Sequence, residues 1–352
     1  MIRVGLAGFG MAGRVFHGPL ISSVEGLELA AVLERTANKA ADRYPGITTY
    51  RTLEAMLADS SLELFVVATP NASHFEIASR ILRAGRNVIV DKPMAVTSAE
   101  VAELMRLAAA EKVLLAPFHN RRWDSDFQTV QRLLKDGLLG RLVSFTSRFD
   151  RWRPAQPAER LWTEDAASGG VLLNLGPHLA DQALVLFGKP EAVSAEVLRE
   201  RDGQGANDSF TVRLRYPGLM VTLGSNYLSL PAGARFHLRG TRGNYWKFGL
   251  DPQEAALNTV ARIEDPAWGR EAQAAWGVLH TGIGGGTVTQ PVEAVPGDYR
   301  AYYAAIRDAL LGKGPLPVTA LDGWRVARLL EWAVESSAAH REVVCDWRAE
   351  PG

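Results

Sequence analysis

Short apolar runs separated by helical stretches set the rhythm of the first 120 residues. Ile2, Val4, Leu6 and Ala7 make the first run, and LELAAVLER, LELFVVAT, NVIV and VLLAPF follow it. Between the later runs, HFEIASRILRAG and SAEVAELMRLAAAEK place apolar residues at helical spacing. Val15 to Ser23 also has helical potential, which Pro19 is expected to kink or end. Such alternation predicts βαβ units and a doubly wound parallel sheet. After residue 120 the pattern changes. LVSFTSRFDRW, DSFTVRLRYPG, LMVTLGSNYLSL and ARFHLRG alternate apolar with polar residues, as strands of a largely antiparallel sheet with one exposed face do. DFQTVQRLLKDG, LLNLGPHLADQALVLFG, YRAYYAAIRDALLG and DGWRVARLLEWAVESSAAH supply its helices. The expected architecture is α/β: a Rossmann domain over residues 1–120 and an α+β domain over 121–352.

Three glycines sharpen this picture. Gly8, Gly10 and Gly13 in GFGMAG fit G-x-G-x-x-G, a weak pattern alone. Here a strand precedes it, helical sequence follows, and Glu34 closes the second apolar run about twenty residues past Gly13. That context favours a dinucleotide cradle over a ligand-free turn. Gly8, Gly10, Met11, Ala12 and Gly13 would bring main-chain N–H groups and a helix N-terminus to a pyrophosphate. Ligands on such sheets sit beyond the strands' C-terminal ends, where Thr69, Pro70, Asn71, Asp91, Lys92 and Asn120 fall. His17 and His74 lie on the same nucleotide side, though each also reads as an ordinary helix-start residue.

Cofactor choice turns on neighbours that disagree. Glu34 could accept bonds from both adenosine ribose hydroxyls and repel a 2′-phosphate, whereas Arg35, Thr36 and Lys39 could bind that phosphate. Because a carboxylate beside a phosphate dianion costs more than an idle arginine loses, the sequence favours NAD(H) over NADP(H).

Composition narrows the class of partner. The 352 residues carry 39 Lys plus Arg against 39 Asp plus Glu, so no net field draws the chain to nucleic acid or an anionic membrane. A small molecule is the expected partner. The single cysteine, Cys345, reads as a passive thiol, and His237, His280 and His340 join no cluster with metal-ligand spacing. With neither signal-peptide features nor a run of transmembrane length, the expected location is the cytoplasm.

Lys92 ends a buried strand, where an ammonium is costly to desolvate unless it meets an anion, a polar ligand or a proton-transfer path. Asn174 and His178 are four apart and share a helical face, and Asp181 can reach the same side. A histidine on an apolar helix is as readily a satisfied core residue; Lys92 beside the same cleft tips the reading towards catalysis. Arg121 and Trp123, in the polar patch Asn120 to Asp124, suit a polyhydroxylated ring or equally a domain-interface salt bridge and stack. Trp152, Arg153 and Trp162 could wall the site, with packing the better reading.

GFGMAG, DKP at residues 91–93 and GGVLLNLGPH at 169–178 resemble the motifs of the Gfo/Idh/MocA oxidoreductases, and the resemblance runs along essentially the whole chain. GRVFHGPLI, FHNRRWDSDF, HLADQALVLFGKP, KFGLDPQEAAL and YYAAIRDALL look like the branch containing scyllo-inositol dehydrogenases. The resemblance implies hydride transfer between NAD(P) and a CH–OH group of a sugar or cyclic polyol. It also implies a C-terminal open sheet used to form a homodimer or homotetramer. Lys92 matches the family's E-K-P lysine; Asn174 and His178 match its D-x-x-x-H pair, with Asp91 for the usual glutamate and Asn174 for the usual aspartate. The expected roles are His178 as base and acid, Lys92 as the cation favouring alkoxide character, and Asn174 as orienter of His178 or a substrate contact. Alternatives are an enzyme of another aldose or keto-sugar, and a nucleotide-binding sensor without turnover.

Overall fold

The computed structural model describes residues 1–155, 169–202, 205–259 and 263–351. Its N-terminal strands are β1 (Ile2–Ala7), β2 (Leu27–Leu33), β3 (Thr48–Tyr50), β4 (Leu64–Val67), β5 (Asn87–Val90) and β6 (Leu115–Pro117). They pair in parallel in the order β3-β2-β1-β4-β5-β6. Strand order reverses between β1 and β4, the point at which doubly wound sheets open a crevice for ligand. All four residues of β4 are buried, which explains its unbroken apolar run. β3 was not among the runs: only three residues long, it has no fully buried position to mark it.

The helices are α1 (Gly18–Ser23), α2 (Lys39–Arg43), α3 (Leu53–Leu57), α4 (His74–Arg83), α5 (Ser98–Glu111), α6 (Ser125–Lys135), α7 (Gly170–Phe187), α8 (Gln253–Asn258), α9 (Arg300–Leu310) and α10 (Ala320–Ala339). Pro19 does not end the first helix. A wider turn over Gly13–His17 precedes it, with the Gly18 N–H bonded to the Gly13 carbonyl, and Pro19 enters the first turn of α1, where no donor is needed.

The second sheet contains β7 (Leu142–Arg148), β8 (Ala192–Leu198), β9 (Ser209–Tyr216), β10 (Leu219–Asn226), β11 (Phe236–Gly240), β12 (Gly243–Lys247), β13 (Gly277–Ile283), β14 (Gly286–Val292) and β15 (Val343–Val344). Its order is β14-β13-β12-β11-β7-β10-β9-β8-β15, antiparallel except for the β7–β10 pair. α7 and α10 pack on one face. The opposite parity, including Leu198, Arg213, Arg215, Met220 and Phe248, is exposed. No helix of the described residues is long and apolar enough to cross a membrane.

Packing does not follow the break near residue 120. Tyr299, Tyr302, Tyr303 and Ile306, on or beside α9, belong to the same buried cluster as Val4, Leu6 and Phe118, and Trp324 of α10 packs with Val88, Val90 and Leu115. The chain thus returns at its C-terminal end to complete the first core. Tyr302 is fully buried, donates to the Pro117 carbonyl at 2.9 Å, and sets its ring edge-on to Phe118 at 4.9 Å. Tyr302→Ala is therefore expected to cost about 3–5 kcal/mol of unfolding free energy and Tyr302→Phe about 1 kcal/mol, read from denaturant midpoints.

Candidate active site

Two elements from different domains meet at Lys92. The residue follows β5, and its ammonium donates to the Asn174 main-chain oxygen at 2.7 Å and the Asn174 Oδ1 at 3.1 Å. Desolvation pulls the Lys92 pKa down to about 8, against the attraction of Asp91 behind it. Burial also pushes the Asp91 carboxyl up, but His17 and Lys92 more than offset that and hold it below its ordinary value.

One turn along α7 from Asn174, His178 is buried. Its Nδ1 has no hydrogen-bond partner among the described residues. Desolvation, then the charges of Lys92 and Arg121, drive its pKa well below the ordinary histidine value. At neutral pH the cleft therefore pairs a neutral imidazole with a largely protonated amine. Asp181 serves a different partner: its carboxylate takes Arg122 at 2.6 and 2.9 Å.

The glycine turn lies beyond β1. Gly8 has φ of 100°, and a Cβ there would stand 2.7 Å from the Ala68 carbonyl oxygen; one at Gly13 would stand 2.3 Å from the Gly8 oxygen. At Gly10 a Cβ would meet nothing within 4 Å, which leaves its face open to a close-approaching ligand. Met11, Ala12 and Gly13 stand in the first helical turn, where amides have no intrahelical acceptor. Asn71, beyond β4, buries an Nδ2 with no protein partner among the described residues. These residues fit a dinucleotide.

Residues 2–119 match the oxidoreductase family described as an NAD-binding Rossmann fold, and residues 131–345 match its C-terminal alpha/beta domain. The chain belongs to the Gfo/Idh/MocA oxidoreductase family. It is 42% identical to the uncharacterized oxidoreductase YdgJ of Escherichia coli over 98% of each chain. Its identity to the scyllo-inositol 2-dehydrogenase (NADP(+)) IolW of Bacillus subtilis is 34%, over 98% of this chain and 96% of that one. The solved structure of yvaA from Bacillus subtilis superposes with a TM-score of 0.93 at 33% identity, covering 98% of both chains.

Several residues singled out in this family member have other company than the sequence suggests. Asn174 engages Lys92 through both its oxygens, so the residue it orients is the lysine. Glu34 is buried, its carboxylate accepting from the Lys39 amide at 3.2 Å and the Ala40 amide at 3.0 Å. Both ring nitrogens of His74 lie on protein carbonyls, Pro93 at 2.8 Å and Thr69 at 2.7 Å, so it braces the end of β4 against the turn carrying Lys92. His17 similarly contacts Tyr303 at 2.6 Å. Trp123 packs edge-on to Tyr302, and its carbonyl accepts from the Asp298 amide. Arg121 is buried against Asp124, Tyr299 and Glu254, with its Nε free of protein partners among the described residues. Asn120 is buried beside it at the end of β6.

Trp152 is half exposed, Arg153 lies over the Tyr227 ring, and Trp162 falls outside the described residues. Among the described residues no group of three His, Cys, Asp or Glu could hold a metal. Glu254, Asp124 and Tyr299 were not singled out as partners of Arg121. Glu254 stands in the quoted string KFGLDPQEAAL, but only folding brings it to a residue more than a hundred positions away.

With an accepted substrate, kcat is expected to fall above about pH 8 as Lys92 loses its proton, and to hold on the acid side below the ordinary histidine range. Asn174→Asp places a carboxylate against the ammonium and should move the alkaline limb up by about one pH unit or more. An unmoved limb in that variant's pH–rate profile assigns it to another group.

Proposed function

We propose that the chain is an NAD(P)-dependent dehydrogenase interconverting a secondary alcohol and a ketone on a cyclic polyol or sugar. The observation that carries this reading is the buried, neutral His178 one turn along α7 from Asn174, the residue that holds the Lys92 ammonium. A bound nicotinamide supplies the hydride acceptor or donor. His178 removes the hydroxyl proton on oxidation and returns it on reduction. Lys92 holds the reacting oxygen and stabilises negative charge as it develops there; Asn174 aims Lys92. This division of labour favours an enzyme over a sensor, which has no use for a neutral base close to a cation.

For the cofactor we propose NADP(H), reversing the sequence-based preference. With the Glu34 carboxylate turned into the start of α2 and held by two amides, its claim on the ribose diol weakens, and so does its repulsion of a 2′-phosphate. Arg35, Thr36 and Lys39 are exposed next to it. The name of the Bacillus relative, which includes NADP(+), points the same way.

Steady-state oxidation of inositols and pyranoses with each nucleotide tests both readings. Lys92→Ala and His178→Ala should each lower turnover about a hundredfold or more, with nucleotide affinity much less affected. Wild-type turnover in either folded variant overturns its role. Arg35→Ala should lower kcat/KM for NADP(H) about tenfold or more, and a higher kcat/KM for NAD(H) in the unaltered protein overturns the cofactor assignment.

The same reading extends to assembly. The bare parity of the nine-stranded sheet, with Met220, Leu198 and Phe248 exposed, suits isologous pairing with a second copy. Light scattering at micromolar concentration should then report a dimer or tetramer, and a monomer alone counts against it.

A further inference from the structure

β2 stops one residue before Glu34 and β3 one residue before Arg51, and their register, with Leu33 opposite Tyr50, sets Arg51 beside Glu34. The Glu34 amide still donates to the Tyr50 carbonyl at 3.0 Å. Past that bond the ladder ends and the Arg51 side chain replaces it. Its Nη1 donates to the Glu34 carbonyl at 2.8 Å and to the Ala37 carbonyl, and its Nη2 donates to the Asn38 Oδ1 at 2.6 Å. One guanidinium thus spans the turn between β2 and α2. The next residue, Thr52, accepts from the Ala55 amide through its side chain and caps α3, so the arginine projects from a fixed point.

The effect on the turn follows from the peptide plane. Across a trans peptide the C=O of one residue and the N–H of the next point in opposite directions. With the Glu34 carbonyl drawn towards β3, the Arg35 amide is turned to the β1 side, where the Gly8 amide at the head of the glycine turn donates to the Leu33 carbonyl at 3.2 Å. The Ala37 carbonyl, held by the same nitrogen, likewise leaves the Asn38 amide facing away from Arg51. Among the described residues none of the amides of Arg35, Thr36, Ala37 and Asn38 has a protein acceptor. The Glu34 carboxylate is meanwhile taken up by the Lys39 and Ala40 amides.

A turn whose carbonyls are withdrawn onto a cation, with its amides unpaired and the side chains of Arg35, Thr36 and Lys39 exposed beside them, is arranged to receive an anion. Resting on the NADP(H) reading above, we infer that Arg51 is a positioning residue for the adenosine 2′-phosphate: its fork selects NADP(H) over NAD(H) by holding residues 34–38 with their amides outward and the Glu34 carboxylate turned in. The arginine acts through the turn and has no need to touch the phosphate. Without the fork the turn relaxes, the amides lose their common aim, and the Glu34 carboxylate is free to swing back to the ribose diol.

Calorimetric titration with NADP+, NAD+, 2′,5′-ADP and 5′-AMP tests this without turnover. Arg51 is exposed, so Arg51→Ala and Arg51→Lys leave no buried gap and keep the fold. The unaltered protein should bind NADP+ and 2′,5′-ADP about tenfold or more tighter than NAD+ and 5′-AMP. In Arg51→Ala that preference should fall by about tenfold, through the phosphate-bearing ligands, with NAD+ and 5′-AMP binding as before. Arg51→Lys keeps the charge but sets a single point donor where the fork spans three acceptors, so it should recover only a minor part. Full recovery in Arg51→Lys assigns the effect to charge alone and overturns the positioning role, as does equal weakening of all four ligands in Arg51→Ala. A preference for the phosphate-bearing ligands that survives Arg51→Ala overturns this inference and leaves the NADP(H) reading standing. No such preference in the unaltered protein overturns the NADP(H) reading, and this inference with it.

Discussion

A single ammonium, partly removed from water between two domains, governs the cleft. Lys92 leaves the end of a buried parallel strand and finds two neutral oxygens of Asn174 on the helix of the other domain. Neutral partners take two of its three hydrogens without supplying a charge, so desolvation is only partly offset and its proton is loosely held. The same ammonium helps keep His178 uncharged. Acid and base are thus set apart chiefly by burial, with the charge of Lys92 adding to the effect on His178.

Buried polar connections fix the elements that follow β6 against one another, and one partly buried pair ties α5 to α10. Arg235 reaches Asp126 at 3.1 Å and Gln182 at 2.9 Å, and Gln182 donates to the Arg121 carbonyl at 2.9 Å. Tyr299 donates to Asp124 at 2.6 Å, and Ser98 of α5 binds Glu331 of α10 through both its amide and its hydroxyl. Groups buried this deeply tolerate few rearrangements, since removing one partner strands the other at a cost of about 3–5 kcal/mol for a charged pair. The network therefore holds the turn from Asn120 to Asp124, and with it Arg121, in one position relative to α7. Rigid placement of this kind is what a reaction with two aimed groups requires.

Local patterning carried much of the architecture. Period-two and helical-period runs predict both sheets and the long helices because burial on one face leaves that signature in a contiguous segment. The glycine turn was legible for a similar reason, since its geometric demands fall on neighbouring residues. Lys92 and His178 were legible as candidates because an ammonium at a strand end and an imidazole on an apolar helix are each costly without a purpose. β3 escaped because three residues, one exposed and two half-buried, leave no periodicity, and the wide turn before Pro19 escaped because propensity does not encode an i to i+5 bond.

Partnership was the part that tertiary structure alone decided. The sequence by itself determined five of the six parallel strands, four strands of the second sheet, the long helices, the cradle and the identity of the chemical groups, all of which depend on residues close in the chain. It did not determine that Asn174 serves Lys92, that Glu34 turns into α2, or that α9 completes the Rossmann core. Each of these is a competition for hydrogen bonds, charge or burial among groups far apart in sequence. The winner depends on distances and solvent exposure that arise only once the chain has packed.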